Sequence, residues 1–288
     1  MNPLTTRRRG AAPILLVVFL LAAAAGIMAL KVATDRIARP AVPGSSIIYL
    51  PSGKYLKYAT FGYSSLVADL IYLWSIQYYS NYEIADRFTY LEHIFSIISE
   101  LDPRYTDPYE VGALIAVAEA HDAELALKLL DLGLAKNPEQ WVFPFEAGHI
   151  AQMTLKDFER AQRYYEKCLA IPGAPAFVSR LRANAMFKRG DLQTAWETWL
   201  EIYDTATDKD LRKVASNHLY QVKAAIDIGD LTDAVKAFAA RFKRFPAALE
   251  DLVRTGIRPA LPKDLDGQDY VYDSATGAVK APTIPWKR

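Results

Sequence analysis

Cysteine is almost missing from this chain of 288 residues, and Cys168 is the only one. No intrachain disulfide can form, which excludes a disulfide-built scaffold without fixing the redox compartment. It also excludes a lipoprotein amino terminus, because no cysteine follows the early apolar run. A surplus of either charge is missing as well. The 34 basic and 33 acidic residues nearly cancel, so no basic footprint points to nucleic acid and no acidic tail suggests a solvating segment. Glycine-rich phosphate loops, His-Glu-x-x-His pairs and nucleophile elbows do not occur. Ser52-Gly53-Lys54 has the end of a phosphate loop, but Ile48 stands where its first glycine belongs. His93, His121, His149 and His218 are widely spaced and read as core or surface histidines rather than a metal cluster. These absences predict no catalytic centre, no cofactor, no metal and no small-molecule substrate.

What is present begins at the amino terminus. Arg7-Arg8-Arg9 precedes Ala11 to Leu30, a run of twenty residues without a charge. Twenty helical residues span about 30 Å, the hydrocarbon thickness of a bilayer. Residues 1–10 are therefore expected to be a cytoplasmic basic segment and residues 11–30 a transmembrane anchor. A signal peptide has a shorter apolar core, although the small residues from Ala22 to Ala29 leave cleavage open. Lys31, Arg36 and Arg39 just after the run weaken the orientation signal. The expectation is a single-pass protein of the inner membrane with its bulk in the periplasm.

Residues 31–61 form a tyrosine-rich juxtamembrane segment, and the aromatics continue through ADLIYLWSIQYYSNY, residues 68 to 82. The uninterrupted apolar part there is about half of what a span needs. Leu66, Leu70, Leu73 and Ile76 recur at helical spacing, and so do Val67, Ile71 and Trp74. A helix apolar on most of its circumference should be buried on more than one side, with Asp69 as a hydrogen-bonded carboxylate. The neighbouring tyrosines fit a packed cap with hydroxyls reaching water or backbone. They also fit a partner or membrane-interface surface, for which Tyr72, Trp74, Tyr78, Tyr79 and Tyr82 are the candidates.

From residue 62 the chain repeats. Pro103, Pro138 and Pro172 follow one another at spacings of 35 and 34, each after a helical run. An Asp stands four residues before an Ala in Asp122/Ala126, Asp157/Ala161, Asp191/Ala195 and Asp230/Ala234. A large apolar residue sits four after each Ala: Leu130, Tyr165, Trp199 and Phe238. The pattern predicts helix pairs. Gly190 and Gly229 end a first helix in left-handed conformation, and the Asp caps the second. The Ala permits close approach, the large residue fills the same face, and the Pro stops the unit. These residues resemble tetratricopeptide repeats, whose second helix carries a small residue, an aromatic four later and a Pro twelve after the small one. Ala126 to Pro138 and Ala234 to Pro246 keep that twelve, and Ala161 to Pro172 is one short. The first helices depart from the family at its Trp, Leu-Gly and Tyr positions. The resemblance implies an α-solenoid over residues 62–246: four units and a degenerate leading pair over residues 62–101. Cys168 falls at a small packed position and reads as a core thiol.

The composition changes after Pro246. A short helix over Ala247 to Arg254 should end at Gly256, and Tyr270-Val271-Tyr272 should pair with Ala278-Val279-Lys280 as a hairpin. Pro246, Leu249, Leu252, Gly256, Pro262, Asp264, Gly267, Tyr270, Tyr272 and Gly277 resemble the tail of major pseudopilins of type II secretion. Leu265-Asp266 replaces that family's Pro-aromatic pair. The resemblance implies a cap over residues 247–288 and a setting in pilus or secretion assembly, where such tails can bind calcium. The spacing of Asp264, Asp266 and Asp269 lacks the closing glutamate of a calcium loop and reads as a turn. The expected fold is mainly α: one anchor, a repeat solenoid, and a small helix-plus-hairpin cap. Its expected use is a scaffold or adaptor for protein partners of the envelope, a pilus or a secretion system. The alternatives are a permanent structural subunit of an envelope complex and an enzyme acting on envelope polymers.

Overall fold

A computed structural model describes residues 11–35 and 50–287. The basic segment 1–10 and residues 36–49 of the tyrosine-rich segment lie outside the described residues. The chain divides into two compact units: Met1–Tyr49 with Asn81–Ala85, and Leu50–Ser80 with Asp86–Arg288.

The first unit carries α1 (Ala11–Asp35), whose described side chains, from residue 17 to residue 33, are all exposed. Among the described residues no helix is long and apolar enough to cross a membrane. The expected anchor, residues 11–30, falls within α1, and the side chains of residues 11–16 lie outside the described ones.

In the second unit the elements are helical until near the end of the chain. They are α2 (Gly53–Ala59), α3 (Ser64–Tyr79), α4 (Leu91–Leu101), α5 (Asp107–Ala118), α6 (Ala123–Lys136) and α7 (Val142–Ile150). Then come α8 (Phe158–Leu169), α9 (Phe177–Arg189), α10 (Leu192–Thr205), α11 (Lys209–Phe242) and α12 (Glu250–Arg254). Each helix from α3 to α11 packs on its successor, and α2 packs on α4. The architecture is thus mainly helical, a stack of consecutively packed helix pairs.

Three of the pairs close through the same turn. Asp122, Asp157 and Asp191 each accept a hydrogen bond from the amide three residues on, at 2.9, 2.9 and 3.4 Å, and so cap α6, α8 and α10. Each Asp also donates its own amide back to the preceding helical segment, to the carbonyls of Ala116, Ala151 and Met186. The residue before each Asp takes a left-handed backbone: His121, Lys156 and Gly190. The repeats are then stitched to one another. The Pro103 carbonyl accepts both the Tyr109 hydroxyl at 3.1 Å and the buried Asn137 amide at 2.9 Å. A π-helical turn, Ala151–Leu155, carries Gln152 into the interior. There it accepts the Tyr165 hydroxyl at 2.9 Å and donates to Asn184 at 3.0 Å, joining three successive segments.

The fourth unit differs from the expectation. Gly229 and Asp230 lie inside α11, which runs unbroken for 34 residues, and Asp230 caps nothing. The reason is what covers the helix. Leu231, Val235 and Phe238 pack with Leu249, Leu252, Tyr270 and Val279 of the carboxy-terminal segment, so no fold-back helix is required to bury them. In that segment β1 (Val271–Asp273) pairs antiparallel with β2 (Ala278–Lys280), Tyr272 opposite Val279. Two tyrosine–carboxylate bonds fix it to α11: Tyr220 to Asp264 at 2.8 Å and Tyr270 to the buried Asp227 at 2.6 Å. Lys223 is the ion-pair partner of Asp227.

Candidate interaction surfaces

The eight residues expected to pack the repeats are all buried: Ala126, Leu130, Ala161, Tyr165, Ala195, Trp199, Ala234 and Phe238. A signal not read from the sequence lies beside them. A Cβ placed on Gly148 would stand 2.6 Å from the Tyr165 ring, and one on Gly133 would stand 2.9 Å from the Phe143 ring. Rings seat on glycine as well as on alanine. Cys168 is buried, donates weakly to the Trp141 carbonyl, and burial pushes its thiol up to about 11. It is an inert core group.

The five aromatic candidates on and after α3 separate. Tyr72, Tyr78 and Tyr79 are buried, Trp74 is half-buried, and Tyr82 is exposed. Tyr79 stacks on Phe95 at 6.0 Å, and its hydroxyl is buried without a hydrogen-bond partner among the described residues. The first three are therefore interior residues and cannot serve as a partner surface in this conformation. The expectation of burial on several sides also needs correction. At about 100° per residue, Ala68, Ile71, Tyr72, Ser75 and Tyr79 form the inward face of α3. Leu66, Leu70 and Leu73 point the opposite way, each 55–58% exposed. Asp69 sits on the exposed side, not in a core. Among the described residues only one face of this doubly apolar helix is covered.

A second surface lies between α5 and α7, the first helices of adjoining pairs. A cavity of about 500 Å³ is lined there by Glu110, Leu114, Glu146, His149 and Thr154, with Leu130 of α6 also on its wall. Burial, then Asp107 and Glu146, raise the Glu110 carboxyl above its ordinary value. Leu114 on its wall is 61% exposed, whereas the lining residues Ala113, Leu130 and Ile150 are buried. The cleft thus has an apolar floor and a carboxylate rim. Glu110 and Glu146, like Leu114 and Ile150, are 36 residues apart, close to one repeat, and that coincidence of register was the signal available in the sequence. A further depression of about 570 Å³ opens beside α9 and α10, with Phe177, Arg180 and Glu201 among its walls.

The four histidines lie apart from one another. His93 bonds the Leu50 carbonyl, His121 forms a turn, His149 stands at the cleft, and His218 stacks on Trp199 at 3.9 Å. Among the described residues no three His, Cys, Asp or Glu side chains are grouped to hold a metal. Asp264 is buried and accepts the amides of Asp266 and Gln268 at 3.0 and 2.7 Å, organising its loop from within. No protein-family model matches this chain, and no curated protein is similar to it in sequence.

Proposed function

We propose that this protein is a membrane-tethered helical-repeat scaffold that holds other proteins of the cell envelope. The observation that carries the reading is the cleft between α5 and α7, apolar at its floor and acidic at its rim. Stacked helix pairs offer extended surfaces of this kind for protein segments. The Asp-x-x-x-Ala spacing favours a tetratricopeptide-type solenoid, and the three shared turns support that reading over an unrelated bundle. The uncharged run from Ala11 to Leu30 favours a single anchor in the inner membrane with the repeats in the periplasm. The pseudopilin-like tail favours work in pilus or secretion-system assembly. A permanent structural subunit is the second reading, supported by the uncovered leucines of α3.

Photo-crosslinking in intact cells tests this, with a photoreactive residue at Leu114 or Thr154 and a control at Arg163 on α8. The scaffold predicts a discrete protein adduct from the cleft positions and none from the control. Equal adducts from all three would reject the cleft as a site. Gentle extraction then separates the readings: exchangeable partners for a scaffold, one fixed stoichiometry for a subunit. A carboxy-terminal periplasmic reporter checks the topology.

A further inference from the structure

The outward face of α3 is an unusual surface for a water-soluble body. Tyr63 is 69% exposed, Leu66, Leu70 and Leu73 follow on one stripe, and they are separated by about one helical turn each. The corner leading into them adds more. Tyr55, Tyr58 and Phe61 are 72%, 80% and 90% exposed. Phe61 also holds a left-handed backbone at φ 48°, a conformation that costs a side-chain-bearing residue roughly 1–2 kcal/mol. An aromatic placed outward at that cost is poorly explained by packing within this chain. The corner is nonetheless held firmly, because Gly53 brings α2 against α4 so closely that a Cβ would meet the Ile97 carbonyl at 2.9 Å.

We propose that this face rests in the interfacial layer of the lipid bilayer, giving the folded unit a second contact with the membrane beyond the tether. The composition argues for lipid over protein. Interfacial helices combine leucine and aromatics on one side with lysines that reach headgroups, and tyrosine favours headgroup depth. Leucine, by contrast, is under-represented among the residues that dominate protein interfaces. Lys54 and Lys57 are exposed beside Tyr55 and Tyr58 and suit anionic headgroups, while Asp69 is the one carboxylate exposed on α3. The chain position argues the same way. Only 22 residues separate Leu30 from Gly53, an extended reach of at most about 80 Å. A surface held that near a bilayer meets it at high effective concentration, so a weak contact suffices. The inference rests in part on reading residues 11–30 as an anchor, and the test keeps the two apart.

The full chain is reconstituted in vesicles of phosphatidylethanolamine and phosphatidylglycerol, carrying one environment-sensitive fluorophore per variant. Leu70→Cys probes the face, Val18→Cys the anchor and Arg163→Cys the aqueous side, while the buried Cys168 stays unlabelled. The expected result is a blue shift at residue 70 and several-fold stronger quenching by brominated lipid than by aqueous iodide, with the reverse at residue 163. Lipid quenching at residue 18 but iodide quenching at residue 70 overturns this inference and leaves the anchor standing. Shielding of residue 70 from both quenchers also overturns it, since a protein copy would then cover the face. Lipid quenching at residue 70 without any at residue 18 upholds the face and rejects the anchor. Iodide quenching at both rejects both.

Discussion

Arg189-Gly190-Asp191-Leu192 and Ile228-Gly229-Asp230-Leu231 are nearly the same four residues, and each is followed by an Ala three positions later. The first reverses the chain and the second does not. At the first, Gly190 adopts φ 89°, the Asp191 amide bonds the Met186 carbonyl at 3.0 Å, and α10 returns along α9. At the second, the helix continues and the Asp230 carboxylate reaches Arg258 at 3.6 Å. The difference lies in the covering of the apolar stripe that follows. Ala195 and Trp199 are buried with Ala183 and Met186 of the preceding helix. Leu231, Val235 and Phe238 are buried by the carboxy-terminal cap instead. A Gly-Asp pair permits a turn, and the tertiary partner decides whether it is made.

The comparison can be broken most directly by deleting residues 247–288. Without the cap, amides from residue 229 to residue 242 should lose nearly all protection from hydrogen exchange, while those of α6 and α8 keep theirs. Retained protection would mean that α11 is continuous for local reasons. The next largest effect separates the two glycines. Gly190→Ala should lose about 1–2 kcal/mol because its backbone is left-handed, measured by urea denaturation. Gly229→Ala should instead gain about 0.5–1 kcal/mol, since its site is helical and a Cβ there would meet nothing within 4 Å. Like signs at both positions would abolish the distinction. The smallest effect concerns pH. Burial lowers the His218 pKa below its ordinary 6.5, with the Gln221 contact opposing. The unfolded chain therefore binds the proton first, so stability is complete above pH 6.5 and declines as the pH falls through that value. A His218→Phe variant should flatten that slope in melting temperature between pH 7 and 5.

The three capped turns were legible in the sequence because an Asp can cap a helix start and the Ala and large residue after it mark the packed face, but the same pattern at Asp230, Ala234 and Phe238 makes no turn. His121 and Lys156 were not legible as left-handed residues, since L side chains rarely adopt that backbone unless the fold imposes it. The hairpin was legible from its two short runs and the turn between them, but β1 lies one residue later than expected, on Val271–Asp273, so that Tyr272 rather than Val271 stands opposite Val279. On α3, periodicity revealed two apolar faces but held no information on which one the chain itself would cover. The cleft was the hardest to see, because Glu110 and Glu146 converge only once α5 and α7 lie side by side.

The Gln152 carboxamide, with Tyr165 at one end and Asn184 at the other, has a mechanical consequence. A greasy seam between helices can creep by a fraction of a turn and lose little, but an amide engaged at both ends cannot, because any axial displacement orphans a buried dipole. Sliding of this turn along α8 or α9 therefore carries a polar cost that a purely apolar seam would not, and the two bonds fix the axial register of three successive segments.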